Sequence, residues 1–152
     1  MADWTDIPRL TKALPGYVRS GPREWRIKDK LVAWERPLRP ADRAALGADA
    51  PTGPILAVYA PLDIKEVLLA ARPEVYFTTP HFDGWPAILI RLRVIGVKEL
   101  RERLRRAWLE RAPKKLIAEV ERAKPPARRR PANSFQRATI AALRKPGSRW
   151  AG

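Results

Sequence analysis

The chain is expected to fold as a two-layer α+β domain, a mostly antiparallel sheet with helices packed on one face. Three observations predict this. The apolar strand segments are short and are joined by tight turns or short helices. No glycine-rich strand-to-helix turn of the doubly wound kind is present. The longest helical pattern is apolar on one side only, so it needs one layer to pack against.

The elements follow in order. A first helix begins at Thr5 or Asp6, where either side chain can cap free N–H groups, and Pro8 is tolerated in its first turn. Ile7, Leu10 and Leu14 form its stripe, and Pro15-Gly16 ends it. In residues 24–28 Trp25 and Ile27 alternate with charges, as in a strand with one wet face. Asp29-Lys30 then serves as a tight turn into a second strand over residues 31–35, making a hairpin. Pro40 opens a short helix over residues 39–46, and Gly47 stops it. After a loop, residues 54–59 read as a buried strand.

Asp63 and Glu66 have capping-box spacing at the start of a helix over residues 63–71, whose apolar face is Ile64, Val67, Leu68 and Ala71. Residues 75–77 form a short strand, and residues 86–94 form the strongest one. Val97, Leu100, Leu104, Ala107 and Trp108 mark the longest helix, over residues 97–111. Glu99–Arg103 and Glu102–Arg106 are i,i+4 pairs in the favourable order. Pro113 breaks this helix, and a last helical segment runs from Lys114 to about Glu121. The domain is thus expected over residues 1–121. A Pro- and Arg-rich tail follows over residues 122–152, with a short helix near 134–144 whose apolar face is Phe135, Ala138, Ala142 and Leu143.

Composition narrows the function classes. The 152 residues carry 31 Lys and Arg against 16 Asp and Glu, a net charge of +15. Residues 1–96 hold 14 basic and 11 acidic side chains, whereas residues 97–152 hold 17 and 5. From Arg122 onward there are nine basic residues and no acid. Such asymmetry points to a basic arm for a polyanion. Cysteine is absent, which excludes disulfides and thiolate metal sites and fits the cytoplasm. No apolar run approaches the roughly 20 residues of a membrane span, and the mixed, acidic start is not that of a signal peptide.

One stretch concentrates unusual chemistry: TTPHFDGWPAILIRL, residues 78–92. It holds the sole histidine, His81, then Asp83 and a Gly-Trp-Pro corner. As a working pair, Asp83 would orient the His81 imidazole. As a structural corner, Asp83 caps backbone N–H groups and His81 packs over Trp85. The structural reading is favoured, because a nucleophile and metal ligands are missing. A triad would need Ser20, Ser134 or Ser148, and no nucleophile elbow surrounds any of them. One His without Cys does not make a metal site, and neither a P-loop nor a dinucleotide fingerprint occurs. No catalytic residue, metal or cofactor is expected. Trp25, Trp34 and Trp108 read as core, while Trp85 and Trp150 are candidates for partner contact.

The runs ERPLRPADRAALG (35–47), GPILAV (53–58), DIKEVLLAARPEVYFTTPHFDGWPAILIRL (63–92) and AWLERAPKKL (107–116) resemble the MmcQ/YjbR family. The pattern is closest to its actinobacterial-type branch and covers residues 4–120. The resemblance implies a compact α+β fold of the CyaY-like or secretion-chaperone-like kind. It also implies DNA binding, through similarity to a double-wing domain whose concave sheet surface meets DNA. It supplies no catalytic motif. The segment between Gly16 and Trp25 is short relative to the family pattern, and the tail lies outside it.

Two functional readings follow. The first is a non-enzymatic domain that holds nucleic acid, expected to be double-stranded DNA, with weak sequence preference. Arg128, Arg129, Arg130, Arg137, Arg144 and Lys145 would bind phosphates, joined by Arg91 and Arg93 on the sheet. The second is a protein-interaction or chaperone-like adaptor, with an apolar pocket lined by His81, Phe82, Asp83 and Trp85.

Overall fold

The computed structural model describes residues 1–123. Within them, six antiparallel strands form one sheet in the order β1-β2-β3-β4-β6-β5. The strands are β1 (Tyr17–Gly21), β2 (Glu24–Ile27), β3 (Lys30–Glu35), β4 (Ile55–Tyr59), β5 (Tyr76–Phe77) and β6 (Ala87–Arg91). Five helices join them: α1 (Asp6–Thr11), α2 (Pro40–Leu46), α3 (Leu62–Ala71), α4 (Val97–Arg111) and α5 (Lys114–Ala123). The α+β class is as expected. The chain divides into Met1–Ile117, which holds the sheet, and Ala118–Gly152. Of the second unit only the end of α5 is described, and no residue of α5 is buried.

The sheet sorts its side chains by alternation. Leu56 pairs with Ile90, Val58 with Ile88, and Ala33 with Val58, giving one apolar face. Helix α4 packs in the layer over this face and buries Leu100, Leu104, Ala107 and Trp108. The other face carries Ile55, Ala57, Phe77, Ala87 and Leu89 with Phe82, flanked by Trp34, Leu38 of the β3–α2 loop and Leu46 of α2. Central strands β4 and β6 are accordingly buried at four of their five positions each.

Several local expectations need correction. Strand β1 was not anticipated; Val18, Arg19 and Ser20 are exposed, so no buried alternation marks it. The hairpin turn is Lys28-Asp29, one residue earlier than the sequence suggests, because Ile27 pairs with Lys30. Lys28 takes a positive φ of 59° there, a conformation that costs a non-glycine residue energy. Helix α1 stops at Thr11, and Thr5 bonds Asp3 rather than capping. Helix α3 starts one residue early, and Asp63 makes no cap bond. Gly16 lies at φ +98°, a conformation that favours glycine, and a Cβ there would meet the Leu116 Cδ2 at 2.8 Å, so that side chain would have to shift.

Candidate functional site

The 78–92 stretch folds as a corner made by backbone turns. Pro80–Phe82 is a single 3-10 turn, and Gly84 at φ +80° reverses the chain into β6. Phe82 N–H donates to Thr79 O at 2.9 Å, and Trp85 N–H donates to Phe82 O at 2.9 Å. His81 stacks on Trp85, with centroids 6.3 Å apart and an interplanar angle of 20°, and meets Phe82 edge-on at 5.0 Å. The corner thus has the packing of the structural reading, although the Asp83 carboxylate acts differently from expectation. It lies near the Lys65 ammonium rather than capping the turn.

Lys65 is the residue that sequence reasoning missed. It is the buried residue of α3, 4% exposed. Its Nζ donates to Phe82 O at 2.7 Å and to Trp85 O at 2.9 Å, bracketing the corner from behind. Burial lowers its pKa, opposed by the Asp83 carboxylate. A second clamp holds the corner from the β3–α2 side. The Arg36 guanidinium lies 5.1 Å from the Phe82 ring centroid and pairs with buried Asp42 at 3.2 Å. Asp42 also accepts the Arg39 N–H at 2.9 Å at the start of α2. Burial would raise the Asp42 pKa, but the Arg39 N–H and the Arg36 charge outweigh it and hold it below the ordinary value.

The expected pocket residues therefore separate. Phe82 is in the core at 5% exposure, so it does not line an open pocket. His81, Asp83 and Trp85 form an exposed rim, with Trp85 at 58%. The apolar cavity lies instead between α3 and α4. It measures about 360 Å³, with Val58 and Ile88 of the sheet and Ile64, Val67 and Leu68 of α3 among its lining.

The two basic sheet residues also separate. Arg91 donates to Pro73 O and Asp49 O, each at 3.0 Å, and covers the Phe77 ring at 4.6 Å. It ties two loops together, and the phosphate contact expected of it gains no support from that geometry. Arg93 is exposed and packs along Gly53. It lines two adjoining clefts of about 350 and 340 Å³, the first shared with Arg43, the second with Arg91. Arg43, on the outward side of α2, is a basic partner that the sequence did not single out. Arg128, Arg129, Arg130, Arg137, Arg144, Lys145, Trp150 and the helix expected at 134–144 lie outside the described residues.

Among the described residues no group of three or more metal-ligating side chains comes together. No described helix is long and apolar enough to cross a membrane.

No family model matches the chain, and no solved structure matches it significantly. The uncharacterized protein Rv2570 of Mycobacterium tuberculosis (strain H37Rv) is 48% identical over 121 residues, covering 77% of this chain and 94% of its own. The uncharacterized protein Mb2600 of Mycobacterium bovis matches with the same identity and the same coverage. At that identity, over nearly the whole of each relative, the chain belongs to the family of these mycobacterial proteins.

Proposed function

We propose that the protein is a non-enzymatic, MmcQ/YjbR-like DNA-binding protein of the cytoplasm. It holds the phosphate backbone of double-stranded DNA with weak sequence preference. The observation that carries this reading is the charge asymmetry: 17 basic against 5 acidic residues over 97–152, with no acid after Glu121. Arg93 and Arg43, at neighbouring clefts beside the 47–54 loop, support a second contact region on the domain. Guanidinium groups suit phosphate oxygens, and such contacts position a protein without reading bases.

Binding to a duplex of random sequence across a salt series tests it. Log K is expected to fall with log salt by about 0.9 for each phosphate neutralised. A variant with Arg128, Arg129 and Arg130 changed to Gln should lose about two to three units of that slope, and Arg93→Gln about one. Absence of binding at low salt, or a slope unchanged in both variants, overturns the reading.

The adaptor reading keeps one favourable observation, the exposed Trp85 stacked beside His81. It predicts undiminished function of a DNA-binding-null protein and sensitivity to Trp85→Ala.

A further inference from the structure

Helix α3 carries three of its large aliphatic side chains outward, while Leu68 and Leu69 are half-buried. Leu62 is 49% exposed, Ile64 39% and Val67 61%. They are not scattered: Ile64 and Val67 border the 360 Å³ groove shared with α4. That volume falls at the lower end of small-molecule sites, which are mostly apolar with few polar groups. Its floor is Val58 and Ile88, side chains of the sheet itself.

The polar groups on the α4 side define the chemistry of an occupant. Two cations line the groove there, Arg103 and Arg106, and one of them is committed. Arg106 Nε donates to Glu102 at 2.6 Å. Arg111, whose guanidinium sits 3.8 Å over the Tyr59 ring, also has a buried Nε with no hydrogen-bond partner among the described residues, but it does not line the groove. Arg103 differs. It lines the groove, and its Nε is buried with no hydrogen-bond partner among the described residues. Its expected i,i+4 partner, Glu99, is engaged instead by Tyr76 Oη at 2.7 Å and by Arg72 at 2.7 Å. A buried donor without a partner is unfavourable unless something accepts from it. Glu110 also lines the groove, which disfavours multiply charged anions.

We propose that the α3–α4 groove binds a small amphiphilic monocarboxylate. Its apolar chain lies on Val58, Ile88, Ile64 and Val67, and its carboxylate accepts from Arg103. This site is separate from the basic clefts at Arg93 and does not depend on DNA binding.

Decanoate below its micellar concentration is the probe, with 1-decanol as its uncharged counterpart. Each is titrated into the full chain by calorimetry while the valine, leucine and isoleucine methyl resonances are followed. Saturable decanoate binding is expected, at least tenfold tighter than decanol, with shifts at Val58, Val67 and Ile88. Arg103→Gln should bring decanoate to the decanol level. Val67→Asp, at an exposed position that does not threaten folding, should weaken both ligands at least tenfold. Non-saturable binding, equal affinity for the two ligands, or decanoate binding unaffected by Val67→Asp overturns the proposal. The last outcome would place the anion on another basic surface, and a failure of decanoate with DNA binding intact leaves the nucleic-acid reading standing.

Discussion

Helices α3 and α4 border one groove and both carry an apolar stripe, yet they use it in opposite ways. On α4 the stripe is driven into the sheet: Leu100 and Leu104 have no exposure and Trp108 has 2%. Trp108 also donates its indole N–H to Pro15 O at 2.7 Å, so its one polar atom is satisfied. On α3 the stripe faces outward, and the side chain turned inward is a lysine. The difference teaches that periodicity identifies an apolar face but not what covers it. A helix can be held by a polar anchor when the surface beside it supplies acceptors. The corner supplies two carbonyls for Lys65, and the orientation of α3 follows from them.

The largest effect that tests this contrast is on α4. Leu104→Ala removes a fully buried side chain between helix and sheet, and should destabilise by about 2–5 kcal/mol through lost transfer energy and the cavity left behind. Urea unfolding with an unchanged slope measures it. A loss below about 1 kcal/mol would mean that the α4 stripe is not the packing anchor.

Lys65→Met comes next. It keeps the aliphatic stem but removes two charge-assisted hydrogen bonds, while each carbonyl keeps a backbone donor, Trp85 N–H on Phe82 O and Ala87 N–H on Trp85 O. Relief of the buried charge offsets part of the loss, so about 1–3 kcal/mol is expected. The Trp85 indole resonance should move with it, because the corner loses its brace. A stabilised variant with an unmoved Trp85 would show that α3 is oriented by something other than this cation.

This contrast also explains what could be read from the residues. The α4 helix over residues 97–111 and the buried β4 and β6 segments follow from local pattern, since each is enforced by burial on the sheet, and Gly47 was legible as the stop of α2 because a positive φ of 58° suits glycine. Strand β1 was not legible because its middle residues are exposed and it is held by pairing to β2. Lys65 was not legible because a lysine three residues into an amphipathic helix reads as solvated. Its acceptors lie 17 and 20 residues downstream, in a turn whose shape depends on Gly84. At the candidate site, His81 over Trp85 was legible from spacing, and the burial of Phe82 was not. That burial depends on Arg36 and on the β4–β6 pairing, neither of which is local.

A smaller effect tests the tie between the two helices. Glu99 of α4 accepts from Tyr76 and from Arg72 at the end of α3. Burial would raise its pKa, but the Tyr76 and Arg72 bonds outweigh it and hold it below the ordinary value. A carboxylate depressed in the folded state binds fewer protons there than in the unfolded chain. Its contribution is present above the unfolded value and is lost as pH falls through the folded one. Stability measured from pH 6 down to pH 3 should therefore fall less steeply in Glu99→Gln than in the parent. The deficit of the variant should be largest at pH 6. Parallel profiles would show that the carboxylate charge does not join α3 to α4.

The smallest effect is on the exposed stripe. Val67→Ser replaces a side chain that is 61% exposed, so the folded state loses little burial. The change in unfolding free energy should stay within about 0.5 kcal/mol, as for other surface positions. The same change on α4, Leu104→Ser, should lose more than the alanine variant, because it adds an unpaired hydroxyl to a dry contact. The pair of serine variants therefore contrasts an exposed with a fully buried position, each in a helix interior. If Val67→Ser destabilised the isolated protein as strongly as a core substitution, the groove would already be filled in solution. The α3 stripe would then be a covered face like that of α4, rather than an open one.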